Sequence, residues 1–428
     1  MARALKAALT EMGDRQHPDL QTLAEYVKRW ENGKVNPSAL YRGAYARALG
    51  MPEDDLFSII LDGRTMETGH APARQPAGHA PDEDEDMQRR RLLQALAALG
   101  VTAYPAFEAI QTIRDGVDHA VGRGEDSHLE EWEETVVEYG YAYMQTPPHQ
   151  LLPDLAADLV AAQQMMTRYR GGSTETSWSR VMAALSMLMA KTLCNLGQSW
   201  QARPWWATAQ QAAERSGDAP LTLWVRSEEV THGLYDRRPL PILLRQTEEI
   251  IAQGGGAPCP GLASAHAIRA QLLAMEGNVP AALVQVHNCV EVTERLPDST
   301  PTDVQSATGW AEDRVQYTTA WVHAYAGDRD RLDAAAERTL ELLHSVHRSR
   351  TQIRLIQAYG HVRAGDVTEG VRLALDVYNT QPAEHRIKMI RTLASQVLEA
   401  VPASRRKDTL VADYRELLSQ PTHLKSIM

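Results

Sequence analysis

Phenylalanine is almost absent from this chain of 428 residues: it has two, and aromatic residues make up only 6% of the sequence. Sheet-rich proteins draw heavily on aromatic and β-branched residues, so this scarcity disfavours strands. Alanine and leucine are frequent instead, and both are strong helix formers. The composition therefore predicts an all-α protein, and the length allows two or three domains.

Cysteine is also scarce, with only Cys194, Cys259 and Cys289, which are odd in number and far apart. This spacing argues against a disulfide framework and favours a reducing compartment. Long apolar runs are missing, and the first residues lack the apolar core of a signal peptide. We therefore expect a cytoplasmic protein with no membrane partner.

An excess of basic residues is lacking as well. The net charge is -11, so no overall positive field attracts nucleic acid. Any contact with DNA must come from a local surface, and the N-terminal 62 residues are close to neutral.

Signatures of enzymes are missing too. The chain has no G-x-x-x-x-G-K, H-E-x-x-H or G-x-S-x-G pattern. His344 and His347 have helical spacing, but only Glu341 accompanies them, so we interpret them as surface histidines. The sequence predicts no enzymatic activity, no cofactor and no metal site.

The most informative stretch is VKRWENGKVNP, from Val27 to Pro37. Val27 and Trp30 are three residues apart, so they share one helical face, which we predict to be buried. Asn32-Gly33 suits the left-handed end of a helix. Asn36 suits the N-cap of the next helix, with Pro37 at its first position. The pattern predicts a helix, a tight turn and a second helix that opens at Ser38.

This stretch and its continuation, PSALYRGAYARALGMPEDDLF, resemble the Cro/repressor-like helix-turn-helix of the XRE family. The resemblance implies an N-terminal DNA-binding domain over residues 1–62 that binds double-stranded DNA. It implies that the helix bearing Trp30 enters the major groove. The residues that the resemblance places against bases and phosphates are Glu25, Tyr26, Lys28, Arg29, Lys34, Asn36 and Ser38.

The sequence departs from that family in one place. The family's second helix should occupy Met12 to Thr22, but MGDRQHPDLQT lacks apolar helical spacing, and Pro18 would break a helix interior. The first helix, Ala2 to Met12, keeps an apolar stripe that includes Leu5 and Leu9. The module is therefore a degenerate helix-turn-helix.

Two further regions follow this domain. Residues 63–86 are rich in Gly, Pro, His and Ala and end in an acidic run, so they are predicted to be a flexible linker. From Met87 onward the sequence has helical period. One apolar face there comprises Trp132, Val136, Val137 and Tyr139.

The second half of the chain is repetitive. The segments LGQSWQARPWWATAQQAAERSGD, MEGNVPAALVQVHNCVEVTERL, YAGDRDRLDAAAERTLELL and RAGDVTEGVRLALDVY each predict a helix end, a Gly-containing turn and an Ala-rich second helix. They resemble tetratricopeptide repeats, although they are spaced more widely. The resemblance implies an α-solenoid over residues 87–428 whose groove holds a signalling peptide, a small ligand or a partner protein.

Most of the tryptophans lie in this repeat region. Trp205 and Trp206 are adjacent, so they point about 100° apart on a helix and cannot both occupy one core face. One interpretation is that both pack between helices. The other is that one of them lines the concave surface and stacks on a ligand, so we treat both as candidate ligand-binding residues.

The combination resembles actinobacterial regulators of development and secondary metabolism. It predicts a transcriptional regulator whose repeats sense a ligand or partner. Because one such module reads few base pairs, we expect a homodimer. The alternative is a protein-interaction adaptor whose helix-turn-helix no longer binds DNA, and the negative charge and degenerate second helix favour it.

Overall fold

The structure is a computed structural model that describes residues 2–11, 18–31, 39–49, a few positions between 114 and 122, 124–344 and 346–420. The described residues form helices, turns and bends and include no strand, which confirms the all-α prediction. The chain divides into two compact units, Met1–Ala80 and Pro81–Met428. This division falls within the predicted linker, which itself lies outside the described residues.

The first unit is built from short helices around a small core. Its described helices are α1 Ala2–Glu11, α2 Leu20–Glu31 and α3 Ala39–Leu49. Leu5 and Leu9 of α1 pack with Leu23 and Val27 of α2, and Ala44 of α3 completes this core. The predicted stripe on α1 and the predicted burial of Val27 are confirmed. The side chain of Trp30 lies outside the described residues.

Helix α2 begins at Leu20, within the stretch where the sequence departs from the family pattern. Asp19 precedes the helix, and its Oδ1 accepts a hydrogen bond of 2.8 Å from the backbone N–H of Thr22. That bond satisfies one of the helix's first N–H groups, which have no partner within the helix. Pro18 lies just outside the helix, where a proline costs nothing.

The second unit is a succession of longer helices. They are α4 Glu125–Gln145, α5 Pro148–Arg168, α6 Glu175–Asn195, α7 Ser199–Ser216, α8 Ala219–Tyr235, α9 Leu240–Gly254, α10 Pro260–Glu276, α11 Val279–Glu294, α12 Glu312–Ala326, α13 Arg329–Leu342, α14 His347–Arg363, α15 Val367–Thr380, α16 Lys388–Ala400 and α17 Thr409–Ser419.

Glycines set the turns within four helix pairs of this unit. Gly197, Gly277, Gly327 and Gly365 have φ angles of 81°, 91°, 72° and 98°, which L-residues with a Cβ rarely adopt. They separate α6 from α7, α10 from α11, α12 from α13 and α14 from α15. The four predicted helix–turn–helix segments are therefore present.

The first helix of each pair also packs against the first helix of the next pair. Contacts run from α4 to α6, from α6 to α8 and onward to α16. The row turns back on itself, because α14 contacts α4, and α16 contacts both α6 and α8. A buried hydrogen bond of 3.0 Å from Thr392 Oγ1 of α16 to the carbonyl oxygen of Tyr235 lies at this closure. We call these seven first helices the inner helices.

One sequence prediction about α4 is wrong in part. Tyr139 is buried, and Trp132 and Val136 are half-buried, but the side chain of Val137 is exposed. The reason is geometric: neighbours on a helix point about 100° apart, so Val137 cannot share the face of Val136 and Tyr139.

The three cysteines are free and buried, as expected from their spacing. Burial raises the pKa of the Cys289 thiol to about 12, so it is protonated and packs as a small apolar group.

Candidate functional site

The inner helices of the second unit surround a cavity of about 160 Å³. All seven of them contribute lining residues, and the loop between α11 and α12 closes one side. Tyrosine and methionine side chains supply apolar surface. Charged side chains also face the cavity, and they are what distinguish it from an ordinary packing defect. We call it the central cavity.

A buried ion pair forms part of the wall of the central cavity. Lys191 Nζ of α6 lies 2.7 Å from Glu228 Oε2 of α8, and both residues are at most 4% exposed. Arg314 Nη1 of α12 approaches the other carboxylate oxygen at 3.9 Å. Burial alone would raise the pKa of Glu228, but Lys191 and Arg314 outweigh it and lower that pKa. Glu228 is therefore ionised and shared by two cations.

Arg314 is held by aromatic rings as well as by Glu228. Its guanidinium carbon lies 5.4 Å from the ring centroid of Trp224 and 5.7 Å from that of Trp310. Such contacts stabilise a cation that has lost part of its water shell. The charge is thus fixed in place at the wall of the cavity.

Arg348 of α14 is the third cation of the cavity, and its surroundings differ. It is 7% exposed, and its guanidinium carbon lies 4.9 Å from the ring centroid of Tyr143. Nη2 donates to the carbonyl oxygen of Thr146 at 3.5 Å. Nη1 is buried and has no hydrogen-bond partner among the described residues. No carboxylate of the described residues lies within ion-pair distance of Arg348.

The charges that line the central cavity do not cancel. Lys191, Arg314 and Arg348 are cationic, whereas Glu228 supplies one negative charge. Asp313 also lines the cavity, but burial raises the pKa of its carboxyl group and so opposes ionisation. Burial lowers the pKa of Lys191, but the adjacent Glu228 carboxylate opposes that shift and favours the charged form. The cavity therefore has an excess of positive charge in a poorly hydrated site.

A wider cavity of about 530 Å³ adjoins the first, and Arg348 and Met144 line both. We call it the outer cavity. Its lining includes His347, His385 and Gln381, and none of its described lining residues is an Asp or a Glu. Arg348 therefore lies where the two cavities meet.

His232 of α8 faces the central cavity and is buried against the ring of Trp206, 5.7 Å away between centroids. Burial, together with the charge of Lys191, lowers its pKa from 6.5 to about 3. The folded protein therefore keeps this imidazole neutral at pH values where the unfolded chain binds a proton. Above about pH 6.5 both states are neutral, and its contribution to stability is fully present.

As the pH falls below about 6.5, that contribution is lost at up to ~1.4 kcal/mol per pH unit until about pH 3. We expect the wild type to lose unfolding free energy faster than His232→Gln between about pH 7 and pH 5. Urea unfolding across that range measures the two slopes. Parallel slopes would show that the folded protein protonates His232 as readily as the unfolded chain does.

The structure places the two predicted ligand-binding tryptophans in α7, behind the lining of the central cavity rather than in it. Trp206 is buried against His232, and Trp205 is half-buried against the core. Neither lines the central or the outer cavity. A ligand in the central cavity would touch Trp310 instead, and a role for Trp205 and Trp206 in ligand binding stays a prediction.

Sequence reasoning missed the cavity's charged residues. One local signal was present: Lys191 is the only charged residue in the largely apolar stretch VMAALSMLMAKTLCNL, between Val181 and Leu196. A single cation in such a run indicates a buried, paired group. Glu228 and Arg348 lie in polar surroundings in the sequence, and no local pattern marks them.

In the first unit, the structure describes only part of the predicted DNA-binding set. The side chain of Lys28 is exposed on α2. Tyr26 is half-buried, and its ring packs edge-on against Tyr41 with centroids 5.9 Å apart. The side chains of Glu25 and Arg29, together with Lys34, Asn36 and Ser38, lie outside the described residues. Contact of the set with DNA stays a prediction.

Two kinds of site were searched for and not found within the described part of the chain. No group of three or more His, Cys, Asp or Glu side chains there could hold a metal ion, and His344 and His347 belong to none. None of the described helices is long and apolar enough to cross a membrane.

Comparison of the chain with protein-family models, with curated proteins and with solved structures found no match.

Proposed function

We propose that this protein is a DNA-binding transcriptional regulator whose second unit senses a ligand. The observation that carries the proposal is the pairing of two features in one chain. One is a unit of short helices that exposes Lys28 on the capped helix α2. The other is a helical unit that surrounds a charged cavity. In this proposal the first unit binds DNA and the second unit binds the ligand that regulates it.

Helix α2 is the part of the first unit that we expect to contact DNA. Leu23 and Val27 fix one face of this helix in the core of the first unit, so the opposite face points away from α1. A helix of this length fits the major groove of B-DNA when its scaffold leaves one face open. In the resembled XRE family, the offsets of Lys28 and Arg29 are those that read bases, and Lys34 follows at the turn. The order of short helices fits a degenerate helix-turn-helix.

The second unit is the part of the chain that we expect to sense a ligand. Its glycine-turned helix pairs support a tetratricopeptide-like solenoid, and its inner helices carry buried charges that packing alone does not require. Buried charges cost free energy unless they are paired, so their retention in a cavity favours a binding role. A peptide, a small ligand or a segment of a partner protein are the classes considered. Dimerisation through this unit and a cytoplasmic location complete the proposal.

DNA binding can be tested with the full-length protein on DNA fragments that it recovers from genomic DNA. We expect Lys28→Ala to cost about 1 to 3 kcal/mol of affinity and to relax sequence preference, since a side chain that reads a base edge is lost. Lys34→Ala should weaken binding to all sequences alike. It should also reduce the slope of log affinity against log salt concentration by about one unit. Fluorescence anisotropy over a salt series measures both effects.

The matched control is Lys6→Ala, which removes a lysine from α1 of the same unit. Affinity that falls equally for Lys6→Ala and Lys28→Ala would indicate general charge attraction rather than readout by α2. In that case the assignment of α2 as the recognition helix would be wrong.

The alternative is a binding adaptor whose first unit serves as a docking surface and no longer contacts DNA. The net charge of -11 favours it, because the charge opposes approach to a polyanion. Failure of the intact protein to bind any sequence specifically, with and without cell extract as a source of ligand, would leave this adaptor function as the better proposal.

A further inference from the structure

Arg348 is a buried cation, and one of its guanidinium nitrogens makes no hydrogen bond to the described residues. The two other cations of the central cavity share Glu228, whereas Arg348 interacts with the ring and the hydroxyl group of Tyr143 and donates to the carbonyl oxygen of Thr146. Its Nη1 has no partner among the described residues, although it is buried. A buried guanidinium normally gains its stability from an anion that it can grip with two parallel N–H groups.

The charges around Arg348 indicate that a ligand bound there would be negatively charged. Lys191 lies near enough to interact with it electrostatically, and so does neutral His232. None of the described residues that line the outer cavity, which Arg348 also lines, is acidic. A cationic ligand would be repelled there, and a neutral one would leave the charge of Arg348 uncompensated. An anionic group placed against Nη1 satisfies both the charge and the missing hydrogen bond.

The size and lining of the central cavity indicate the size and polarity of the remaining part of the ligand. A volume of about 160 Å³ holds on the order of ten water-sized groups. Tyr143, Tyr235, Tyr317 and Met389 contribute apolar surface to the lining. The hydroxyl groups of Tyr235 and Tyr317 are engaged with each other at 2.7 Å, so their rings rather than their polar ends are available. An apolar, preferably planar, body of modest size fits these walls.

We propose that the central cavity binds a small organic carboxylate, with its carboxylate on Arg348 and its apolar body between the tyrosine rings. This inference deepens the sensing half of the proposed function and rests on it. The carboxylate could belong to a free metabolite or to the C-terminal residue of a peptide that enters through the outer cavity. Both present the same chemistry to Arg348.

The first test compares ligands on the unmodified full-length protein, by isothermal titration calorimetry without DNA. The probes are benzoate, phenylacetate and N-acetylphenylalanine, a blocked amino acid that mimics the C-terminal residue of a peptide, each matched with its neutral amide. We expect saturable binding of at least one carboxylate, with its amide weaker by about 10- to 100-fold, the range expected for a charge-assisted hydrogen bond. Tighter binding of N-acetylphenylalanine than of benzoate would identify a peptide end as the source.

The second test compares variants. Arg348→Met removes the charge while keeping the stem, and Arg354→Met removes a half-buried arginine of the same helix that pairs with Glu337. We expect Arg348→Met to weaken carboxylate binding by about 10- to 100-fold and Arg354→Met to leave it unchanged. The melting temperature of ligand-free Arg348→Met should equal or exceed that of the wild type, because an uncompensated buried charge is removed.

Several results would overturn the inference. They are equal affinities for a carboxylate and its amide, no saturable binding by any carboxylate probe, or equal losses in the two arginine variants. Inorganic phosphate or phenylphosphonate binding more tightly than every carboxylate would also overturn it. The ligand comparison needs no variant, so it holds even if Arg348→Met does not fold. Because neither test contains DNA, a failure here is distinct from a failure of DNA binding.

Discussion

Replacing Glu228 by glutamine is expected to destabilise the second unit by about 3 to 5 kcal/mol, the usual cost of removing one partner from a buried ion pair. The carboxylate of Glu228 is shared by two cations. Lys191 Nζ lies 2.7 Å from one of its oxygens and Arg314 Nη1 lies 3.9 Å from the other. Without its charge, Lys191 would remain buried beside two arginines with no anion to offset it. The substitution keeps the size of the side chain, so the loss reports charge rather than packing.

Urea and thermal unfolding followed by circular dichroism measure this loss. The matched control is Glu337→Gln, which removes a carboxylate from an ion pair of 2.8 Å with Arg354 at the protein surface. Exposed pairs contribute about 0 to 1 kcal/mol, so this variant should melt close to the wild type. The double variant Lys191→Met/Glu228→Leu should recover much of the loss, because it leaves neither partner as a lone buried charge. Equal melting of Glu228→Gln and Glu337→Gln would contradict the buried pair.

Trp321→Ala is expected to cost about 3 to 5 kcal/mol, the range for truncating a fully buried large aromatic side chain. Trp321 of α12 is 1% exposed and stacks on Tyr325, with ring centroids 5.7 Å apart and planes inclined by 21°. Tyr235 of α8 meets the same indole edge-on at 6.2 Å. Truncation would thus open a cavity between two inner helices.

Trp200 offers the matched control for this prediction. It is a tryptophan of the same unit that is 74% exposed, and its ring contacts Arg203 of the same helix. We expect Trp200→Ala to cost less than about 1 kcal/mol, the scale of an exposed cation–π contact. Differential scanning calorimetry of both variants measures the contrast. A Trp321→Ala protein as stable as Trp200→Ala would show that the inner helices do not pack as described.

The helices and their turns were predictable from the sequence because their causes are local. Glycine at Gly277, Gly327 and Gly365 marks a left-handed turn, and helical spacing marks the buried stripe of α1. Burial of Val27 followed in the same way from its position on one face of α2. The position of Pro18 outside α2 was also readable, since proline tolerates only the beginning of a helix.

The candidate site was not predictable, because its residues meet only when distant helices pack. Lys191, Glu228, Arg314 and Arg348 lie on four different inner helices, and nothing in their local sequence gives their separation. Trp205 and Trp206 were candidates because they are adjacent in the sequence. In the structure, however, Trp206 is buried, and other aromatic residues line the central cavity. Adjacency shows that two side chains diverge, but it does not say which of them faces a ligand.

The most direct test of the regulator is recovery of genomic DNA by the tagged full-length protein, followed by sequencing. We expect a short sequence to recur in the recovered fragments as two half-sites, as is usual for a dimer. We also expect Lys28→Ala and Arg29→Ala to lose this enrichment and Lys6→Ala to retain it. Recovery of no recurring sequence, with or without cell extract as a source of ligand, would contradict DNA readout by α2.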